Sequence, residues 1–111
     1  MKVAVIAHAG KSFGGGLPEL RRVLAAEGIE DPFWVEVPKS KKAPVQVQRA
    51  LEEGAELVFA WGGDGMVQRC VDVLAGTKAT VGIIPAGTAN LLATNLGITK
   101  DLKAAVSIAL G

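Results

Sequence analysis

Gly62-Gly63-Asp64-Gly65-Met66 sets one carboxylate inside a glycine turn, after an apolar strand-like run and before a helix-like one. Glycines let a backbone turn with positive φ and bring its N–H groups against a ligand. The start of a helix adds unsatisfied donors and a partial positive charge. Such a loop suits a phosphate, but Asp64 does not. A carboxylate about 4 Å from a phosphate charge costs roughly 4 kcal/mol per unit-charge pair at an effective dielectric near 20, and the helix end returns only ~0.3–1 kcal/mol. An acid at this place therefore implies a Mg²⁺ ion between it and the phosphates, or a proton. The alternative is that Asp64 caps the following helix.

A second group of residues, Ile84-Pro85-Ala86-Gly87-Thr88-Ala89-Asn90, follows one strand–helix–strand unit later. Pro85 ends a strand, Gly87 permits a tight turn, and Thr88 and Asn90 offer a hydroxyl and an amide at a helix start. Alone, Thr88 would be an N-cap and Asn90 a surface residue. Placed one unit beyond the glycine turn, both are expected to face the same crevice. Gly10-Lys11-Ser12 ends like a Walker A loop, but Val5 occupies the position of its first glycine. Gly14-Gly15-Gly16 reads as a flexible loop before Pro18 rather than a phosphate cradle. His8 reads as an incidental loop histidine, and Trp61 as strand-end packing rather than a surface that stacks on adenine. No G-x-G-x-x-G, metal-ligand set, Ser/His/Asp arrangement or paired carboxylates is present.

The elements that must hold these residues alternate. Strand-like segments cover Lys2 to Ala7, Phe33 to Val37, Leu57 to Trp61 and Thr80 to Ile84. Helix-like segments run from Pro18 to Gly28, from about Pro44 to Glu53, and through Val67, Cys70, Val71 and Leu74 toward Gly76. Two more are expected, over Thr88 to Asn95 and Asp101 to Leu110. Alternation of this kind predicts an α/β fold, a three-layer parallel sheet of about four strands with helices on both faces. Ligands of such sheets sit at the carboxyl ends of the strands, where the turns at Ala7 to Gly16, Trp61 to Gly65 and Pro85 to Asn90 all emerge.

The 111 residues are expected to form a single domain over 1–111, without internal repeats. A net charge of +1 with interleaved signs lacks the basic stripe of a nucleic-acid binder, so no nucleic-acid partner is expected. Lys39, Lys41 and Lys42 read as a solvated loop. Half the residues are apolar, as suits a parallel sheet covered on both faces or a surface meant for a partner. No apolar run approaches the ~18 residues of a membrane span, and the apolar stretch after Met1-Lys2 is too short for a signal peptide. Cys70, the one cysteine, excludes an internal disulfide and fits a reducing cytoplasm.

Together, Gly62-Gly63-Asp64-Gly65 and Pro85-Ala86-Gly87-Thr88-Ala89-Asn90, the latter followed by Leu91-Leu92-Ala93 and Leu96-Gly97-Ile98, resemble the catalytic domain of the diacylglycerol kinase and sphingosine kinase family, bacterial lipid kinases in particular. The resemblance spans nearly the whole chain and implies a fold like that of NAD kinases and diacylglycerol kinases. It implies transfer of the ATP γ-phosphoryl group, with Mg²⁺, to the hydroxyl of a diacylglycerol-like or sphingoid lipid. Gly62, Gly63, Asp64 and Gly65 match the nucleotide-phosphate loop, with Asp64 the catalytic and metal-holding residue. Gly87, Thr88 and Asn90 match a second nucleotide-side segment, and Gly10 and Lys11 fall where the family carries an Asn-Pro-x-Ser-Gly-type loop. Met66 stands where the family generally has a small hydroxyl residue, and a lost hydrogen bond to a charged group is worth ~1.5–3 kcal/mol.

The family's second, β-rich domain would form the lipid site and supply a general base. Lipid contact through it, peripheral membrane association, self-association through apolar surface left uncovered, and near-inactivity of these residues alone are the corresponding expectations. A kinase of a soluble substrate, such as an NAD kinase, and a non-catalytic nucleotide-binding or assembly domain are the alternatives.

Overall fold

The structure, a computed structural model, describes residues 1–11, 15–86 and 102–111. The helix expected over Thr88 to Asn95 lies outside these residues, as do Gly87, Thr88 and Asn90 of the candidate site, Ser12, Gly14 and Asp101. In chain order the elements are β1 (Val3–His8), α1 (Gly16–Ala26), β2 (Phe33–Val37), a 3-10 turn (Ser40–Lys42), α2 (Ala43–Glu52), β3 (Leu57–Gly62), α3 (Asp64–Leu74), β4 (Thr80–Pro85) and α4 (Leu102–Leu110). Helices α1, α2 and α3 each stop just before a glycine in the left-handed region, Gly28, Gly54 and Gly76, where a side chain would be strained.

The starts of two helices differ from the sequence reading. Helix α1 begins at Gly16, so Pro18 is its third residue rather than its first, and Pro44 is the second residue of α2. Neither proline is penalised, because first-turn N–H groups have no carbonyl partner within the helix. Strands β1, β3 and β4 each run one residue further than periodicity indicates, to His8, Gly62 and Pro85. Pairing explains the extension in β3 and β4, since Gly62 is still in register with Pro85.

All four strands are parallel, in the order β2-β1-β3-β4. The chain passes from β1 outward to β2, then returns across β1 to β3 and β4. Right-handed crossovers in opposite directions set α1 on one face and α2 and α3 on the other. Alternate strand residues fill the two layers. Ala4, Ile6, Val58 and Ala60 meet Val47 and Ala50 of α2 and Val67 and Cys70 of α3. Val5, Ala7, Phe59 and Trp61 meet Leu20 and Leu24 of α1 and Leu102 and Val106 of α4. All six residues of β3 are buried, as in a parallel strand covered on both faces. Strand order reverses between β1 and β3, so the crevice outside their carboxyl ends is the expected ligand position.

Two features of the layers give measurable consequences. A Cβ on Gly82 of β4 would lie 2.8 Å from both Ala109 Cβ and Phe59 Cδ1, so α4 rests on β4 across a bare backbone. Gly82→Ala should cost about 1–3 kcal/mol by urea denaturation; an unchanged midpoint would remove this contact from the account of the layer. Burial of Cys70 pushes its thiol up from 9.0 to about 12. Between those values the unfolded chain loses the proton while the folded chain keeps it, so stability falls as pH rises, at a slope approaching ~1.4 kcal/mol per pH unit. The difference in stability between the wild-type chain and Cys70→Ala should therefore be flat below pH 9 and shrink above it.

Candidate functional site

The switch point is closed by hydrogen bonds between strand ends. Gly62, the last residue of β3, accepts a bond of 3.0 Å from the N–H of Ala86, the residue after β4. The second motif is thus tied, at Ala86, to the first residue of the glycine–aspartate turn. Gly87, Thr88 and Asn90 lie beyond the described residues.

The three glycines of the turn have different reasons to be glycine. A Cβ on Gly62 would come within 2.7 Å of Met66 Cβ and Cγ and 3.4 Å of His8 Cβ, so Gly62 lets the first turn of α3 fold back on the end of β3. Gly63 has φ −80° and ψ −172°, extended values open to any residue, and its Cβ would meet no atom of the described residues within 4 Å. Gly65 lacks positive φ, and the nearest atom to its Cβ position is Ser40 Oγ at 3.9 Å. Among the described residues, neither backbone conformation nor packing demands glycine at 63 or 65. Both leave bare backbone open to the rim.

Asp64 lies between them as the first residue of α3 and is half-buried. The N-cap residue is Gly63 rather than Asp64, and among the described residues no side-chain cap is seen at this helix start. First-turn N–H groups have no carbonyl partner within a helix and carry its positive end. Among the described residues no group of three or more His, Cys, Asp or Glu side chains could hold a metal ion. One carboxylate at an open rim suits Mg²⁺, which keeps several waters and binds through one or two carboxylates plus substrate phosphates.

The β1–α1 loop is held by its own bonds. The N–H of Gly10 donates to His8 Nδ1 at 3.2 Å, and that of Lys11 to the His8 carbonyl at 3.1 Å. These two N–H groups are engaged within the loop, and the side chain of Lys11 is exposed. The Lys11 carbonyl accepts the indole N–H of Trp61 at 3.1 Å. Trp61 is fully buried and ties this loop to β3, so it packs rather than presenting a stacking face. Gly15 N–H donates to Glu19 Oε1 at 3.3 Å, which fits a helix start better than a phosphate cradle.

One rim segment was not connected to the site by sequence. The turn at Ser40–Lys42 follows β2, packs against α3, and brings Ser40 Oγ near Gly65. The strand-end rule that located the other three loops also covers the end of β2, and that was the available signal. Met66 is 1 % exposed and belongs to the layer with Val67 and Cys70. In this chain its position serves packing beneath the turn.

The geometry agrees with known proteins. The sequence profile of the diacylglycerol kinase catalytic domain matches residues 2–111. A probable lipid kinase YegS-like protein of Klebsiella pneumoniae is 38% identical over 103 residues, which cover 87% of this chain and 34% of that protein. A diacylglycerol kinase of Mycobacterium tuberculosis is 48% identical over 60 residues, covering 53% of this chain and 19% of its own length. A crystal structure of a diacylglycerol kinase from Bacillus anthracis superposes with a TM-score of 0.74 at 25% identity, covering 96% of this chain and 38% of that one. The chain thus spans about a third or less of the relatives it matches. A parallel sheet with this turn at its switch point, matched by the family profile over residues 2–111, makes this chain a member of the diacylglycerol kinase catalytic domain family.

Proposed function

We propose that the chain is the nucleotide-binding part of an ATP-dependent lipid kinase whose acceptor is a diacylglycerol-like or sphingoid hydroxyl. One observation carries this reading beyond family membership: Gly63 and Gly65 flank Asp64, and nothing among the described residues requires glycine at either place. Bare backbone on both sides of a carboxylate, at the start of a helix, fits a ligand that approaches the backbone closely and brings negative charge with a cation. In the proposed reaction the lipid hydroxyl oxygen bonds to the γ-phosphorus, the bond from that phosphorus to the bridging oxygen breaks, and ADP leaves with the electron pair. The hydroxyl proton passes to a base that the relatives would supply from outside the matched third.

Asp64 would hold Mg²⁺, which would neutralise phosphate charge beside the carboxylate. The N–H groups around Gly63 and Gly65 would orient the phosphates. Gly87, Thr88 and Asn90 would fix the nucleotide from the neighbouring loop, and Lys11 would add charge from the β1 side. Positioning dominates phosphoryl transfer, so these residues alone should transfer phosphate far more slowly than a full-length relative.

Titration calorimetry separates the contributions. With Mg²⁺, Asp64→Asn should bind ATP at least ten times more weakly than the wild-type chain; with EDTA the order should reverse, because the bare carboxylate then repels the phosphates. Equal affinities in both conditions would exclude Asp64 from nucleotide binding. Gly63→Ala should change folding stability by no more than about 1 kcal/mol and still weaken nucleotide binding, whereas Gly62→Ala should lose about 1–3 kcal/mol of stability. If Gly63→Ala binds nucleotide normally, no ligand approaches that backbone.

A further inference from the structure

Three N–H groups of the loop after β1 are spent within the protein. Ala9 donates to the Val37 carbonyl at 2.9 Å, Gly10 to His8 Nδ1 at 3.2 Å and Lys11 to the His8 carbonyl at 3.1 Å. What residues 9–11 bring to the rim is therefore the charge of one side chain. Lys11 is exposed and its four-carbon stem is flexible, so the fold can fix only the place where the stem is rooted.

That root is fastened on both sides. The Lys11 N–H goes to the His8 carbonyl, and the Lys11 carbonyl accepts the indole N–H of Trp61 at 3.1 Å. The first bond is local, whereas the second comes from the core. Trp61 is fully buried, opposite Ala7 and Ile84 in the sheet and in the layer that holds Leu20 of α1 and Leu102 of α4. An indole packed by so many elements is fixed by the core, and the loop conforms to it. Trp61 also directly precedes Gly62, so one residue sets the reference for the Lys11 loop and for the glycine–aspartate turn. The end of β1 lies close to that turn, with His8 Cβ 3.4 Å from where a Cβ on Gly62 would stand.

We propose that Trp61 is a positioning residue for nucleotide binding: by holding the Lys11 carbonyl it roots the Lys11 side chain at the rim, where the ammonium meets the nucleotide phosphates. The inference rests on the nucleotide-binding reading above and adds to it a residue that touches no ligand. A buried indole N–H also needs an acceptor for the sake of stability. The two roles differ in one measurable respect. Satisfying the indole affects folding only, whereas positioning couples Trp61 to Lys11 in the affinity for nucleotide.

A double-mutant cycle, read by titration calorimetry with Mg²⁺-ATP, tests the coupling. Lys11→Met removes the ammonium, keeps the carbonyl, and should weaken binding about tenfold. Trp61→Phe removes the indole N–H and should weaken binding about fivefold in the wild-type background, but by less than about twofold in the Lys11→Met background. Thermal melts establish that each variant is folded at the temperature of the titration. Should Trp61→Phe not fold, benzothienylalanine in place of Trp61 exchanges the N–H for sulfur at nearly constant ring volume and takes its place in the cycle.

Unchanged affinity in Trp61→Phe, or an equal loss in both backgrounds, would overturn the proposal and leave Trp61 a core residue. So would unchanged affinity in Lys11→Met. With Asp64→Asn still weakening Mg²⁺-ATP binding, these outcomes refute the positioning role alone. A wild-type chain that binds no Mg²⁺-ATP refutes the nucleotide-binding reading, and this proposal with it.

Discussion

Helix α3 can begin directly at the end of β3 because Gly62 has no side chain. Met66 packs where a Cβ would otherwise stand, and it is this contact that aims the helix start at the crevice. Displacing the first turn of α3 would move Gly63, Asp64 and Gly65 together, since they connect the strand to the helix within three residues. The same methionine lies in the layer with Val67 and Cys70, so the position of the turn is coupled to packing beneath it. A polar residue at 66 would have to satisfy its hydroxyl at a place that is 1 % exposed.

Among the described residues, hydrogen bonds between neighbouring strand ends tie the loops of this rim together. Ala86 donates to Gly62, Trp61 donates to Lys11, and Ala9 donates to the carbonyl of Val37 at 2.9 Å. Each bond joins segments distant in sequence, and together they run across the rim from β2 to β4. A net contribution of ~0.5–1.5 kcal/mol apiece is modest. Their main effect is geometric, because they fix where four loops leave one sheet.

Much of the fold was legible because its signals are local. The i, i+3, i+4 pattern of Val67, Cys70, Val71 and Leu74, the β-branched run in β1, and the terminating glycines each report a conformation from nearby residues. The glycine–aspartate turn was legible for the same reason. Strand order was not, since it depends on which distant segments meet, and neither was the approach of the Ser40–Lys42 turn to α3. Met66 was read for the hydroxyl it lacks. Its burial depends on Gly62 and on a layer assembled from other elements, to which Ile6, Val37 and Val47 also belong. Trp61 was correctly read as packing, but its bond to Lys11 joins residues fifty positions apart and left no local trace.

The central place of β1 has a consequence for biosynthesis. Its partner on one side is β2, but its partner on the other is β3, with Val3 opposite Leu57 and Ala7 opposite Trp61. As the polypeptide emerges from the ribosome, this highly apolar first strand must wait for more than half of the chain before its second edge can be satisfied. Until then it is an open template for strands of other molecules. Parallel pairings over such distances form slowly, so the nascent chain depends on prompt completion of β3 or on chaperones that shield it meanwhile.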